Sequence, residues 1–167
     1  MKVIIKNVRL SFPSLFQHEV YAGESTEKYA ATFLIPKSDK ATVNAIEHAC
    51  KQALTDKYGD KIPKGFKMPI VDGSEKEFIG EDNVSIKATT KKRPQLINRD
   101  KSPIHEDDSI LYAGCYVNAS IDVWVMDNSY GKKILCSLNA IQFVKDGEAF
   151  GSNGNAADDF EDLDDEF

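Results

Sequence analysis

One segment limits the possible folds more than any other. From Tyr112 to Met126 the chain alternates: Cys115, Val117, Ala119, Ile121, Val123 and Val125 share one face, and Tyr116, Asn118, Ser120, Asp122, Trp124 and Met126 the other. Period two sustained over that length is the mark of a strand with one face buried and one face wet. The turn-forming run Asp127-Asn128-Ser129-Tyr130-Gly131 follows, so Lys132 to Val144 should return as the antiparallel partner. Two strands alone cannot cover the apolar face they create, so further strands must complete the layer.

Those strands are legible upstream. Lys2 to Phe12 is rich in Val and Ile on both registers, with Val3 and Ile5 on one side and Ile4, Val8, Leu10 and Phe12 on the other. That suits a strand buried on both faces, or one that bends between two sheets; Pro13 ends it. After a loop from Ser14 to Glu27 that keeps Phe16, His18 and Tyr21, Lys28 to Ile35 resumes as a strand with Tyr29, Phe33 and Ile35 on one face, stopped by Pro36. Val84 to Arg93 sets Val84, Ile86 and Ala88 against Ser85, Lys87, Thr89, Lys91 and Arg93, so one face of that strand is basic. Between strands, Ser38 is placed to cap a helix whose Ala41, Ala45, Ile46, Ala49, Cys50, Ala53 and Leu54 form an apolar stripe, with Gly59 closing it. Asp60 to Asp82, with Pro63, Gly65, Pro69, Gly73 and Gly80, reads as a long irregular connection. Five antiparallel strands and one intervening helix in 167 residues predict a mainly β protein, a small closed or partly closed antiparallel β-barrel.

Charge divides the chain in two. The formal net charge is −6, but Asp158, Asp159, Glu161, Asp162, Asp164, Asp165 and Glu166 supply −7 of it in a terminus without Lys or Arg. Of 27 acidic groups 20 then remain for the body, against 21 basic ones, a net +1. The boundary is the polar stretch from Gly151 to Ala157, which predicts a folded domain over 1–150 and a flexible acidic tail over 151–167. Phe160, Leu163 and Phe167 are sparse apolar anchors in that tail, suited with Asp158, Asp159, Asp162, Asp165 and Glu166 to a basic-rimmed pocket on a partner.

Several functional classes are excluded at this level. Cys50, Cys115 and Cys136 are odd in number, widely spaced and set in apolar surroundings, which predicts core residues and neither a disulfide framework nor a zinc site. The longest uncharged run, Ile110 to Ile121, falls well short of the ~20 apolar residues that span a bilayer. The N-terminus has no apolar h-region, so the expected location is the cytoplasm. No phosphate-binding, dinucleotide-binding or nucleophile-elbow motif is present, and His105-Glu106-Asp107-Asp108 lacks a second His at ligand spacing, so no catalytic residue, metal or cofactor is expected.

What remains points to nucleic acid. Tyr116 and Trp124 stand on the polar face of their strand, where an aromatic forgoes several kcal/mol of burial. Tyr130 stands in the turn that follows the strand, and Lys87, Lys91, Arg93, Arg99 and Lys101 supply cations. Rings for bases and cations for phosphates are the means by which proteins hold unpaired strands, with affinity but no strong sequence code. A second reading, from a different class, takes the barrel as scaffold and the acidic tail as the working part of a protein-interaction adaptor.

The runs Val8-Arg9-Leu10-Ser11-Phe12-Pro13-Ser14-Leu15-Phe16, Ala31 to Asp39, Lys92-Arg93-Pro94 with Asn98-Arg99-Asp100, Tyr112 to Ala119, and Leu138 to Glu148 together resemble the phage-encoded single-stranded DNA-binding proteins. The resemblance runs in order from Val3 to Gly151. It implies an OB-fold core that binds single-stranded DNA during phage replication and recombination in the infected bacterial host, without catalysis. It also implies an acidic tail that shields the groove and recruits phage or host replication proteins, on a monomer or weak dimer. Lys91, Lys92, Arg93, Arg99, Tyr112 and Tyr116 fall on the family's motif positions; Trp124 and Tyr130 rest on the alternation alone. Ile134-Leu135-Cys136-Ser137-Leu138 departs from the glycine-rich strand of the relatives.

Overall fold

The computed structural model of the protein describes residues 1–76 and 79–150. The tail residues singled out above, Asp158, Asp159, Phe160, Asp162, Leu163, Asp165, Glu166 and Phe167, lie outside the described residues. In chain order the elements are β1 (Lys2–Ser14), β2 (Val20–Tyr21), β3 (Glu24–Ser25), β4 (Tyr29–Pro36), α1 (Lys40–Tyr58), β5 (Ile70–Asp72), β6 (Asn83–Thr90), β7 (Gln95–Ile97), β8 (Tyr116–Asn128) and β9 (Gly131–Lys145).

β1 meets β8 with its first half and β4 with its second, and that double duty explains its two apolar registers. The register shifts between Ile5 and Val8, where Asn7 has φ 54°; the bulge flips the phase, so Val3 and Ile5 point inward before it and Val8 and Leu10 after it. Ile4, on the opposite phase, is exposed; Phe12, in phase with Leu10, is exposed because the register shifts again between Ser11 and Ser14, with Phe12 at φ 44°. β4 pairs with β6, β8 with β9 as the long hairpin, and Thr89 of β6 meets Ser137 of β9 in parallel, closing the ring β1-β4-β6-β9-β8. Five strands closed in that order, with one parallel contact, form an OB-fold barrel. Its second and third strands are β4 and β6. Its first inter-strand loop holds the β2–β3 hairpin, and its last is the tip at Ser129-Tyr130.

The interior is filled by alternate residues of every wall, among them Leu10, Phe33, Ile35, Ile86, Val117, Ile121, Ile134 and Ile141, all essentially inaccessible. Burial of each large side chain contributes about 1.5–3 kcal/mol relative to exposure. α1 seals one end with Ile46, Ala49, Cys50 and Leu54, while Ala41 and Ala45 of the expected stripe are exposed. Asp39, not Ser38, caps the helix, accepting from the Thr42 N–H, and Gly59 ends it at φ 64° with its N–H on the Thr55 carbonyl. All three cysteines are free and buried. Burial pushes the Cys50 thiol up to about 11 and that of Cys136 up to about 12.

Three segments differ from the sequence reading. β6 stops at Thr90, so Lys91 and Lys92 form a bend and Arg93 lies beyond the strand; Ser85, on its expected polar face, is buried where β5 pairs alongside. β8 begins at Tyr116, because Gly114 at φ 113° turns the chain and sets Tyr112 outside the strand. The connection after α1 carries β5 and a bridge from Lys67 to Lys133. Among the described residues no helix is long and apolar enough to cross a membrane.

Candidate nucleic-acid interface

The outer surface where β6 meets β9 is a cleft of about 310 Å³. Lys87 and Thr89 come from β6, Lys133 and Leu135 from β9, and Lys67 and Met68 from the strap that leaves α1. Pro63, Gly65 and Pro69 prevent that strap from continuing the helix. It finds its hydrogen bonds on the edge of β9 instead: the Lys67 N–H donates to the Lys132 carbonyl at 3.0 Å, and the Ile134 N–H donates to the Lys67 carbonyl at 2.9 Å. Backbone pairing therefore places Lys67 directly beside Lys132 and Lys133. Like charges side by side on a ladder cost stability unless an anion lies between them, and no carboxylate among the described residues pairs with any of the three.

Trp124 adjoins this cleft. It is registered against Leu135, and its Nε1 donates to Ser137 Oγ at 3.0 Å, Ser137 being the residue at which β9 touches Thr89. One edge of the indole is thereby fixed while the side chain stays 43% exposed. Tyr130, at the hairpin tip, is 87% exposed. Lys87 is met from the first inter-strand loop by Glu19, whose two carboxylate oxygens lie 2.8 and 3.0 Å from its Nζ.

Beyond the end of β6 the cationic surface continues. Lys91 and Lys92 are exposed on the bend. Arg93 donates to the Phe16 carbonyl at 3.0 Å with its guanidinium 5.9 Å from the Tyr29 ring centre, and with Lys101 it rims a second cleft of about 430 Å³ walled by Phe16, Leu96 and Pro103. The His105 to Asp108 run, also at this cleft, is a short turn in which the His105 N–H donates to the Asp108 carboxylate at 2.8 Å.

The remaining predicted residues gather elsewhere, at the opposite end of β8. Tyr112 donates its hydroxyl to Asp146 at 2.9 Å and Gly147 at 3.1 Å, and receives the Gly147 N–H. Burial, reinforced by Asp146, raises that hydroxyl above its ordinary value. Tyr116 has Lys145 Nζ 4.7 Å and the Arg9 guanidinium 5.6 Å from its ring centre. Arg9 also lies 4.1 Å over Phe150 and donates to the carbonyls of Gly114 and Glu148. Arg99 donates to the Val144 carbonyl at 2.7 Å. A Cβ on Gly147 would lie 2.1 Å from the Gly114 carbonyl oxygen, so two backbones touch here as only glycine permits. This cluster fastens residues 145–150 against the barrel.

Thus Lys87 and Trp124 share the β6–β9 side, the bend cations lie beyond the end of β6 with Arg93 at the second cleft, and Tyr112, Tyr116 and Arg99 lie toward the other end of β8. Sequence reasoning missed Lys67, Lys132, Lys133 and Arg9. The alternation Lys133, Leu135, Ser137 opposite Trp124 held the signal for Lys133; for Lys67 there was none, because only the folded barrel brings the strap to β9.

A model of the family described as the ssDNA-binding protein of Enterobacter phage Enc34 matches residues 1–167 of the chain. The chain belongs to that family. The chain is 38% identical over 174 residues to putative protein p50 of Acyrthosiphon pisum secondary endosymbiont phage 1, covering 98% of this chain and 94% of that protein. The single-stranded DNA-binding protein of bacteriophage Enc34, solved in complex with ssDNA, matches with a TM-score of 0.76 at 28% identity over 90% of this chain and 89% of that one. The single-stranded DNA-binding protein gp2.5 of bacteriophage T7 shares the fold, with a TM-score of 0.64 at 14% identity over 97% of this chain and 95% of that one.

Proposed function

We propose that this Enc34-family protein binds single-stranded DNA without strong sequence preference, along the outer face of β6 and β9. The observation that carries the reading is the convergence of Lys67, Lys87 and Lys133 on one cleft beside the fixed, half-exposed indole of Trp124. Phosphates meet the lysines, a base stacks on Trp124, and the strand continues over Lys91, Lys92, Arg93 and Lys101, with Tyr130 at the hairpin tip. Of this surface, β6 is the third strand of the barrel and the Tyr130 tip its last inter-strand loop, both among the parts by which OB-folds generally hold oligonucleotides. The protein acts by binding and not by catalysis, in phage DNA replication and recombination. Residues 1–150 are the binding domain. Residues 151–167 are an acidic tail that competes for the cleft and recruits phage or host replication proteins to a monomer or weak dimer.

Anisotropy of labelled oligo-dT with the full chain, and with a chain ending at Gly151, tests this at low and moderate salt with duplex DNA alongside. Salt-sensitive binding that favours the single strand and tightens on truncation is expected, since truncation removes −7 from the neighbourhood of the lysines. Failure of both chains to bind would overturn the reading and leave the tail as the working element.

A further inference from the structure

The cleft has one feature that a phosphate-binding surface does not need. Its lysine on β6, Lys87, is already held by a carboxylate of the same chain. Glu19 stands at the neck of the β2–β3 hairpin, and its backbone is fixed there by three hydrogen bonds: its N–H to the Lys28 carbonyl at 2.7 Å, and its carbonyl to the Thr26 N–H at 2.8 Å and the Thr26 hydroxyl at 3.0 Å. The hairpin turns through Ala22 and Gly23, both at positive φ (54° and 82°), the geometry of a tight two-residue connection. Its strands show their largest apolar side chains to water: Val20 is 66% and Tyr21 78% exposed. One residue, Val20, separates Tyr21 from Glu19, so roughly 7 Å of extended chain joins the exposed ring's residue to the carboxylate that holds Lys87.

From this arrangement we infer that Tyr21 is a further base-stacking residue and that Glu19 positions it, acting as a latch that the arriving strand opens. The inference rests on the proposed β6–β9 cleft. In the free protein Glu19 occupies Lys87 and parks the hairpin. A phosphate takes Lys87, the carboxylate is released and repelled by the strand, and the hairpin pivots at its neck to lay Tyr21 on a base. Magnitudes favour the exchange. The Lys87 and Glu19 side chains are 51% and 21% exposed, and a partly exposed ion pair typically shifts an equilibrium by no more than about five-fold, whereas one base on one ring is worth about five-fold to a hundred-fold in affinity.

Oligo-dT binding by the full chain across a salt series, with melting temperatures in parallel, tests the latch. Glu19→Gln should bind several-fold more tightly, and its log K against log salt should steepen by about 0.7, because Lys87 then carries a counterion for the phosphate to release. Lys87→Ala should cost more affinity in the Glu19→Gln background than in the unmodified chain. Tyr21→Ala should weaken binding by about five-fold to a hundred-fold with little change of slope, since stacking neutralises no phosphate. Unchanged or weaker binding by Glu19→Gln with an unchanged slope overturns the latch, and wild-type affinity in Tyr21→Ala overturns the stacking role. If the unmodified chain binds no oligo-dT, it is the cleft that has failed. If it binds and Lys67→Ala with Lys133→Ala weakens it while the Glu19 and Tyr21 variants do not respond, only the latch has failed.

Discussion

Replacing Lys67 and Lys133 together by alanine isolates the cleft. Both side chains line it, and neither has an ion-pair partner among the described residues. The strap is held to β9 by main-chain hydrogen bonds, so the double variant should keep the fold and melt close to the unmodified protein. Each phosphate neutralised on a single strand contributes about −0.7 to the slope of log K against log salt. Lys67 and Lys133, which unlike Lys87 are held by no carboxylate among the described residues, therefore make up about −1.4 of that slope, and losing both should flatten it by about 1.4. Over a tenfold rise in salt, the part of the affinity due to these two lysines falls roughly twenty-five-fold in the unmodified chain and is absent from the variant. The two lines are thus furthest apart at low salt and converge as salt rises. Anisotropy of labelled oligo-dT at several salt concentrations measures both quantities. Parallel lines, weaker binding at an unchanged slope, would refute the electrostatic reasoning. An unchanged line would place the strand elsewhere, with Arg99 and Lys145 the next cations to remove.

Three other expectations address the ring, the closure and the core. Trp124 is the only tryptophan, so its fluorescence should be quenched as oligo-dT binds, and Trp124→Ala should lower affinity by about five-fold to a hundred-fold; unperturbed emission at saturation would remove it from the interface. Gly147→Ala forces a Cβ against the Gly114 carbonyl and the Tyr116 ring, and overpacking of this kind costs about 1–3 kcal/mol, readable as a lower urea midpoint. The Tyr58 hydroxyl donates to Asp127 at 2.6 Å, which holds its pKa up at about 12 from an ordinary 10. A raised folded-state pKa means that the bond's contribution is complete below pH 10 and is lost as pH climbs through about 12. Tyr58→Phe should therefore narrow its stability deficit above pH 10, and a deficit that stays constant with pH would show that the bond to Asp127 does not raise the pKa of the hydroxyl.

The sequence was most informative where one physical rule acted alone. Alternation from Tyr116 to Val125 and its return through Ile134, Cys136 and Leu138 located the central hairpin, because every inward position meets the same closed core. It misled where a single residue interrupts the rule. Gly114 ends the period that had seemed to begin at Tyr112, and β6 gives way to a bend at Lys91. The bulge at Asn7 exchanges the two faces of β1, which is why both of its registers are apolar. Lys67 was beyond reach, since its position depends on two backbone hydrogen bonds to a strand more than sixty residues away.

The two kinds of sequence signal also mark two different places. Arg9, Tyr112, Gly114, Tyr116 and Gly147 all lie in the runs that carry the family resemblance, and in the fold they meet one another: a guanidinium on two carbonyls, a phenol across a turn, two glycines in backbone contact. Their chemistry is that of closing a barrel, with each polar group already partnered inside the protein. Lys67, Lys133 and Trp124 lie outside those runs, and there the cations have no ion-pair partner among the described residues and the indole is held by one edge only. A DNA strand supplies what this second group lacks, anions for the lysines and a planar surface for the ring. The first group has little left to offer it beyond Lys145 and the outer side of Arg99. If the protein binds single-stranded DNA as proposed, substitutions in the first group should therefore register mainly in stability, and substitutions in the second mainly in affinity.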